Sequence, residues 1–92
     1  MSAERYTVQV TPVFVEVAGA TVVIVGVVPY TTLTGEKRYL VSCMAEYGGW
    51  RSQPFVLDVA SNEELERKLR VEIARMKVFI ASGYTIPFQR IG

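Results

Sequence analysis

The stretch EYGGWRSQPF, residues 46–55, decides how the sheet of this protein is read. Adjacent glycines between two large aromatics suit a two-residue primed turn, whose central positions need a positive φ that glycine adopts at little cost. With Gly48 and Gly49 as the loop, Tyr47 faces Trp50, Ala45 faces Ser52, Cys43 faces Pro54, Val41 faces Val56 and Tyr39 faces Asp58. The other face sets Glu46 against Arg51, Met44 against Gln53, Ser42 against Phe55, Leu40 against Leu57 and Arg38 against Val59. Leu40, Met44, Phe55, Leu57 and Val59 form an aliphatic set suited to a covering helix. Tyr39, Val41, Tyr47, Trp50 and Val56 are then expected on a face that one helix leaves open.

Outward from this hairpin, residues 5–17 read as a strand with a change of phase. Tyr6, Val8 and Val10 alternate, and after Pro12 the alternation resumes on Val13, Val15 and Val17. Proline cannot donate to a ladder, so Pro12 marks a bulge or an edge. A turn at Ala18-Gly19-Ala20 leads to a strand over Thr21–Val28, whose run of valine and isoleucine implies burial on both faces. A longer connection reaches the third strand, about Lys37–Tyr47, and the fourth, about Trp50–Val59. The sheet thus occupies about residues 5–59.

A single helix is expected over about residues 62–82. Ser61 with Glu64 three residues later is a capping-box pattern. Leu65, Leu69, Ile73, Met76 and Ile80, with Phe79 beside them, form an apolar stripe at helical spacing. Acids crowd the first turns and bases the later ones, complementing the helix dipole, and Gly83 is a suitable stop. The tail, residues 83–92, is short and apolar. The expected fold class is α+β: a four-stranded antiparallel meander covered on one face by a single C-terminal helix, in the order β-β-β-β-α.

Composition narrows the function classes. A chain of 92 residues reads as one domain with a limited core, yet half its residues are hydrophobic. Oligomerisation is the simplest outlet for that surplus. The outer side of the helix carries Arg67, Arg70, Val71, Ala74, Lys77 and Val78. Val71 and Val78 stand where polar residues would be expected, so a helix contact between subunits is predicted there, with Tyr84 and Phe88 of the tail as further interface residues. The basic neighbours read as either a solvated face or a groove tracking a phosphate backbone.

The net charge of +1 gives no whole-chain nucleic-acid signal. The single cysteine, Cys43, excludes an intrachain disulfide and fits a reducing cytoplasm. The apolar run AGATVVIVGVVPY is shorter than the roughly 20 residues a membrane helix needs, and no signal peptide or membrane association is expected. Asn62 is the sole asparagine, a scarcity that suits a thermophile. Histidine is absent, Cys43 sits in mid-strand without a base, and no carboxylates or glycines fall at metal-site or phosphate-loop spacing. The expectation is a protein that is not an enzyme, with no cofactor, no metal and no small-molecule substrate.

Tyr47 and Trp50 have two readings: a cross-strand pair that stiffens the hairpin, or a platform on which unpaired bases stack. Arg51 is likewise a partner for Glu46 or a phosphate contact. The meander, this hairpin and the segment SQPFVLDVASNEELERKLRVEIARMK together resemble the archaeal ThermoDBP-related single-stranded DNA-binding proteins, over about residues 5–80. The resemblance lies in element order and residue character. It implies sequence-tolerant binding of a single strand, DNA in the first instance, in a cleft or intersubunit tunnel of an oligomer. By resemblance Tyr47, Trp50 and Phe55 are candidate stacking or cleft residues, with Tyr39 on the same aromatic face. Arg38, Arg51, Arg70 and Lys77 are candidate phosphate contacts. The alternative is a non-enzymatic interaction or scaffolding module whose aromatic sheet face is a subunit interface.

Overall fold

The computed structural model describes residues 8–91, with side chains from residue 12 onward. Its elements are β1 (Val8–Val17), β2 (Ala20–Thr31), β3 (Lys37–Tyr47), β4 (Trp50–Arg51), β5 (Phe55–Val59), α1 (Asn62–Ala81) and β6 (Gln89–Arg90). Among the described residues the chain is α+β, an antiparallel open sheet with one helix. The sheet has six strands where four were expected. The fourth strand divides into β4 and β5, and the tail returns as β6 beside β4. The expectation that Tyr6 opens the first strand lies outside the described residues.

The Gly48-Gly49 turn has the primed geometry its sequence predicts, whereas the turn expected over Ala18-Gly19-Ala20 is a two-residue one, with Ala20 already in β2 opposite Val17. Gly48 and Gly49 take φ of 59° and 82°, and Ala18 and Gly19 take 51° and 82°. The register of β1 on β2 slips between Gln9 and Val13, where Pro12 withholds a donor. A second slip falls between Ile24 and Gly26, which gives β2 one extra residue.

A third irregularity reverses the expected faces. Glu46 pairs with Arg51 and Tyr47 with Trp50, as read from the turn, but Cys43 then pairs with Phe55, Val41 with Leu57 and Tyr39 with Val59. One extra residue is absorbed at Ser52-Gln53-Pro54, because Pro54 cannot donate to the ladder. Ser52 closes the regular part: its N–H donates to the Ala45 carbonyl at 2.8 Å, and its Oγ accepts from the Ala45 N–H at 2.9 Å. Since side chains alternate across a strand, that one-residue slip moves Phe55, Leu57 and Val59 to the face carrying Val41, Cys43, Ala45 and Tyr47.

The helix therefore covers the odd-numbered face of β3. Leu69, Ile73 and Met76 are buried against Val22, Val41, Cys43, Ala45, Leu57 and Val59. Cys43, Val22 and Ile73 are fully inaccessible. Leu40 and Met44, expected beneath the helix, lie on the opposite face in register with Asp58 and Val23. Val41, Tyr47 and Trp50, expected on the open face, belong to the helix side.

Ser61 caps α1: the Glu64 N–H donates to its Oγ at 3.2 Å, and the Glu64 carboxylate accepts from the Ala60 N–H at 2.8 Å. The helix stops as Gly83 predicts. Gly83, with φ 78°, sends its N–H to the Ile80 carbonyl, and the Tyr84 N–H reaches that of Phe79. The tail then packs on its own chain. Phe88 joins the core and its ring lies 6.2 Å from that of Phe79, while the Ile91 N–H donates to Gly49 at 2.9 Å.

The 12 residues of β2 span about 40 Å, against about 30 Å for the 20-residue helix. The sheet outruns its cover, and the molecule measures 48 × 23 × 21 Å. Beyond the start of the helix, Ile24, Val27, Tyr39, Val41, Val59 and Leu65 line an open apolar trough of about 510 Å³.

Candidate nucleic-acid interface

The hairpin turn brings Tyr47 and Trp50 directly opposite each other on the helix side of the sheet. Two elements distant in sequence then place a cation on each ring. Lys77 of α1 sets its Nζ 5.1 Å from the centre of the Tyr47 ring, and Arg90 of β6 sets its guanidinium 5.0 Å from that of Trp50. The result is a line, Lys77–Tyr47–Trp50–Arg90, beside the exposed Gly48-Gly49 turn. Both aromatics are half-buried, with their inner edges packed on the core.

Lys77 was expected on the outer face of the helix. It is half-buried and points to the sheet, where its ammonium also donates to the Ala18 carbonyl. Its long stem lets a residue near the edge of the apolar stripe reach inward. Arg90 was not among the sequence candidates. The signal available was an arginine in an apolar tail, and only the return of that tail as β6 shows where it goes.

The other predicted cations have carboxylate partners. Arg38 donates from Nε to Asp58 at 2.8 Å and lies 3.4 Å from Glu64. The Tyr30 hydroxyl donates to the other Asp58 oxygen at 2.5 Å, and Lys68 lies 3.1 Å from Glu64. These bonds hold the Asp58 carboxyl below its ordinary range, Tyr30 first and Arg38 second. Glu64 is lowered by the Ala60 N–H and then by Lys68. Hydrogen bonding to Asp58 raises both the Tyr30 phenol and the Arg38 guanidinium. Arg51 reaches Glu46 at 2.8 Å, the cross-strand pair expected from the register, and Arg70 reaches Glu66 at 3.0 Å. Among the described residues, Lys77 and Arg90 form no ion pair.

The remaining candidates are dispersed. Phe55 is packed on the core, and Tyr39 borders the trough at the far end of β3. Val71 and Val78 are 52% and 61% exposed on the outer helix face, so they are available for contact. Tyr84 stands edge-on to Phe79 at 5.6 Å yet remains 54% exposed. Phe88 is drawn into the chain's own core. Among the described residues no helix is long and apolar enough to cross a membrane. No family model, curated protein or solved structure matches the chain.

Proposed function

We propose that this protein binds single-stranded nucleic acid with little sequence preference, along the Lys77–Tyr47–Trp50–Arg90 line. The observation that carries this reading is the opposed aromatic pair whose two cations have no carboxylate partner among the described residues. A partly exposed cation–ring contact is worth about 0.5–1 kcal/mol, whereas a base stacked on an aromatic side chain contributes about 1–3 kcal/mol. A base can therefore displace either cation from its ring, or stack on the planar Arg90 guanidinium, and the freed charge is then in reach of a phosphate. DNA is the first candidate by the resemblance of this chain to single-stranded DNA-binding proteins.

The test is a titration of Trp50 emission with oligo-dT and with a duplex of equal length at several salt concentrations. Quenching by the single strand alone is expected. With two phosphates neutralised per subunit, log affinity should fall with log salt at a slope of about −1.4, and Arg90→Ala should reduce that slope by about 0.7. Absence of quenching at low salt refutes the reading. A second reading, a non-enzymatic interaction module acting as a homo-oligomer, is favoured by the exposed Val56, Val71 and Val78. It predicts no quenching and an oligomer insensitive to salt.

A further inference from the structure

The edges of the sheet are not equally protected. On β5, the Asp58 carbonyl accepts from Lys68 at 2.7 Å and from Arg38 at 3.3 Å, and the following Ala60 N–H is taken by Glu64. On the same side of β3, beyond β4, β6 is only a two-residue strand. β1 ends the sheet at the opposite edge, and among the described residues no strand pairs with it there. Natural edges are blunted by charge, proline or bulges. The first half of β1 has both a bulge and Pro12. Its second half has neither: Val13, Phe14 and Val15 are 47%, 66% and 37% exposed, with Glu16 the only charge before the turn.

The turn fixes which backbone groups face outward. A two-residue primed turn at Ala18-Gly19 makes Val17 and Ala20 its closing hydrogen-bonded pair. Bonding then alternates along an antiparallel ladder, so Val15 and Val13 bond to β2 while Phe14 and Glu16 direct their N–H and C=O groups away from it. Pro12 lies where the ladder to β2 becomes irregular and has no N–H to leave unpaired.

We propose that two copies of this chain pair β1 to β1 in antiparallel fashion about a two-fold axis at Phe14. This register sets Phe14 against Phe14 on one face of the joined sheet and Val13 against Val15 on the other. It also sets Glu16 against Pro12, so that the Glu16 N–H of each copy meets the Pro12 carbonyl of its mate. A register centred one residue later would oppose Phe14 to Glu16 and leave an aromatic against a charge. A second copy is favoured over a foreign strand because the edge is complementary to itself: one contact covers all three exposed apolar side chains, pairs both outward backbone groups of Phe14 and gives the Glu16 N–H an acceptor. The inference does not rest on nucleic-acid binding.

Sedimentation equilibrium and amide hydrogen exchange test it. The wild-type chain should sediment as a dimer with the Phe14 and Glu16 amides slowed. Phe14→Lys places two like charges at the axis, and Phe14→Pro removes the outward donor without touching a bond to β2. Both should raise the dimer dissociation constant at least about tenfold, equivalent to about 1.4 kcal/mol, while the helical circular dichroism is kept. A monomeric wild type, rapid exchange at Phe14 and Glu16, or folded variants that remain dimeric would overturn the proposal. If the variants do not fold, the exchange of the wild-type amides decides alone.

Discussion

Cys43 is a packing residue, for reasons visible at the scale of one side chain. It lies fully buried in mid-strand, and burial, followed by the nearby Glu72 charge, pushes its thiol up to about 12. Thiolate is the reactive form, so the native chain should resist alkylation by iodoacetamide even near an ordinary thiol pKa of roughly 8.5. Denaturant should restore rapid modification, and fast labelling of the native chain would contradict the assignment. The sequence carried this reading, since a lone cysteine in an apolar strand without histidine has no activating base. Lys77 is the contrary case. Expected on the outer face, it in fact follows Ile73 by four residues and so stands at the edge of the buried stripe, from which its long stem bends its charge onto Tyr47 and the Ala18 carbonyl. A projection of Cα positions does not contain that reach.

Among the elements, the helix was the most legible. Its stripe, its cap at Ser61 and its stop at Gly83 all follow from neighbours along the chain, and each is present. Replacing Ser61 with Ala should cost about 1 kcal/mol of stability in a urea titration, because the Glu64 N–H loses its acceptor. An unchanged midpoint would mean that the cap contributes nothing. The strands were less legible. The hairpin turn was read correctly, yet the faces of β5 were inverted, because Pro54 makes room for one more residue before the ladder resumes. Gly26 was the corresponding signal in β2: an isolated glycine within a strand marks a bulge, and the register slips beside it.

At the scale of the molecule, a polar network joins three separate segments: Tyr30 on β2, Arg38 on β3, and Asp58, Glu64 and Lys68 around the β5–α1 junction. Its pH dependence follows from the sign of the shifts. Asp58 and Glu64 are held below their ordinary values of 3.8 and 4.5, so the unfolded chain takes up protons first as the solution is acidified. Their stabilisation is complete above those values and is lost as pH falls through the lower folded ones. The Tyr30 phenol is raised above its ordinary 10.0, so its share is complete below that value and lost as pH rises through the folded one. Urea midpoints should fall in acid, and Asp58→Asn should flatten that fall. Stability that increases on acidification would contradict the network.

Several features of this protein are determined by the sequence alone: its primed turn at Gly48-Gly49, the span and buried stripe of its helix, the break at Pro12 and the pairing of Tyr47 with Trp50. Each depends on residues close together in the chain, where spacing and backbone preference suffice. Only the tertiary structure decided which sheet face the helix covers, where the tail returns, and that Lys77 and Arg90 flank the aromatic pair. Those outcomes depend on how a one-residue excess is absorbed at Pro54 and on contacts between segments far apart in the chain. A single slip in register exchanges the two faces of a strand, and local preferences along the chain leave that slip unspecified.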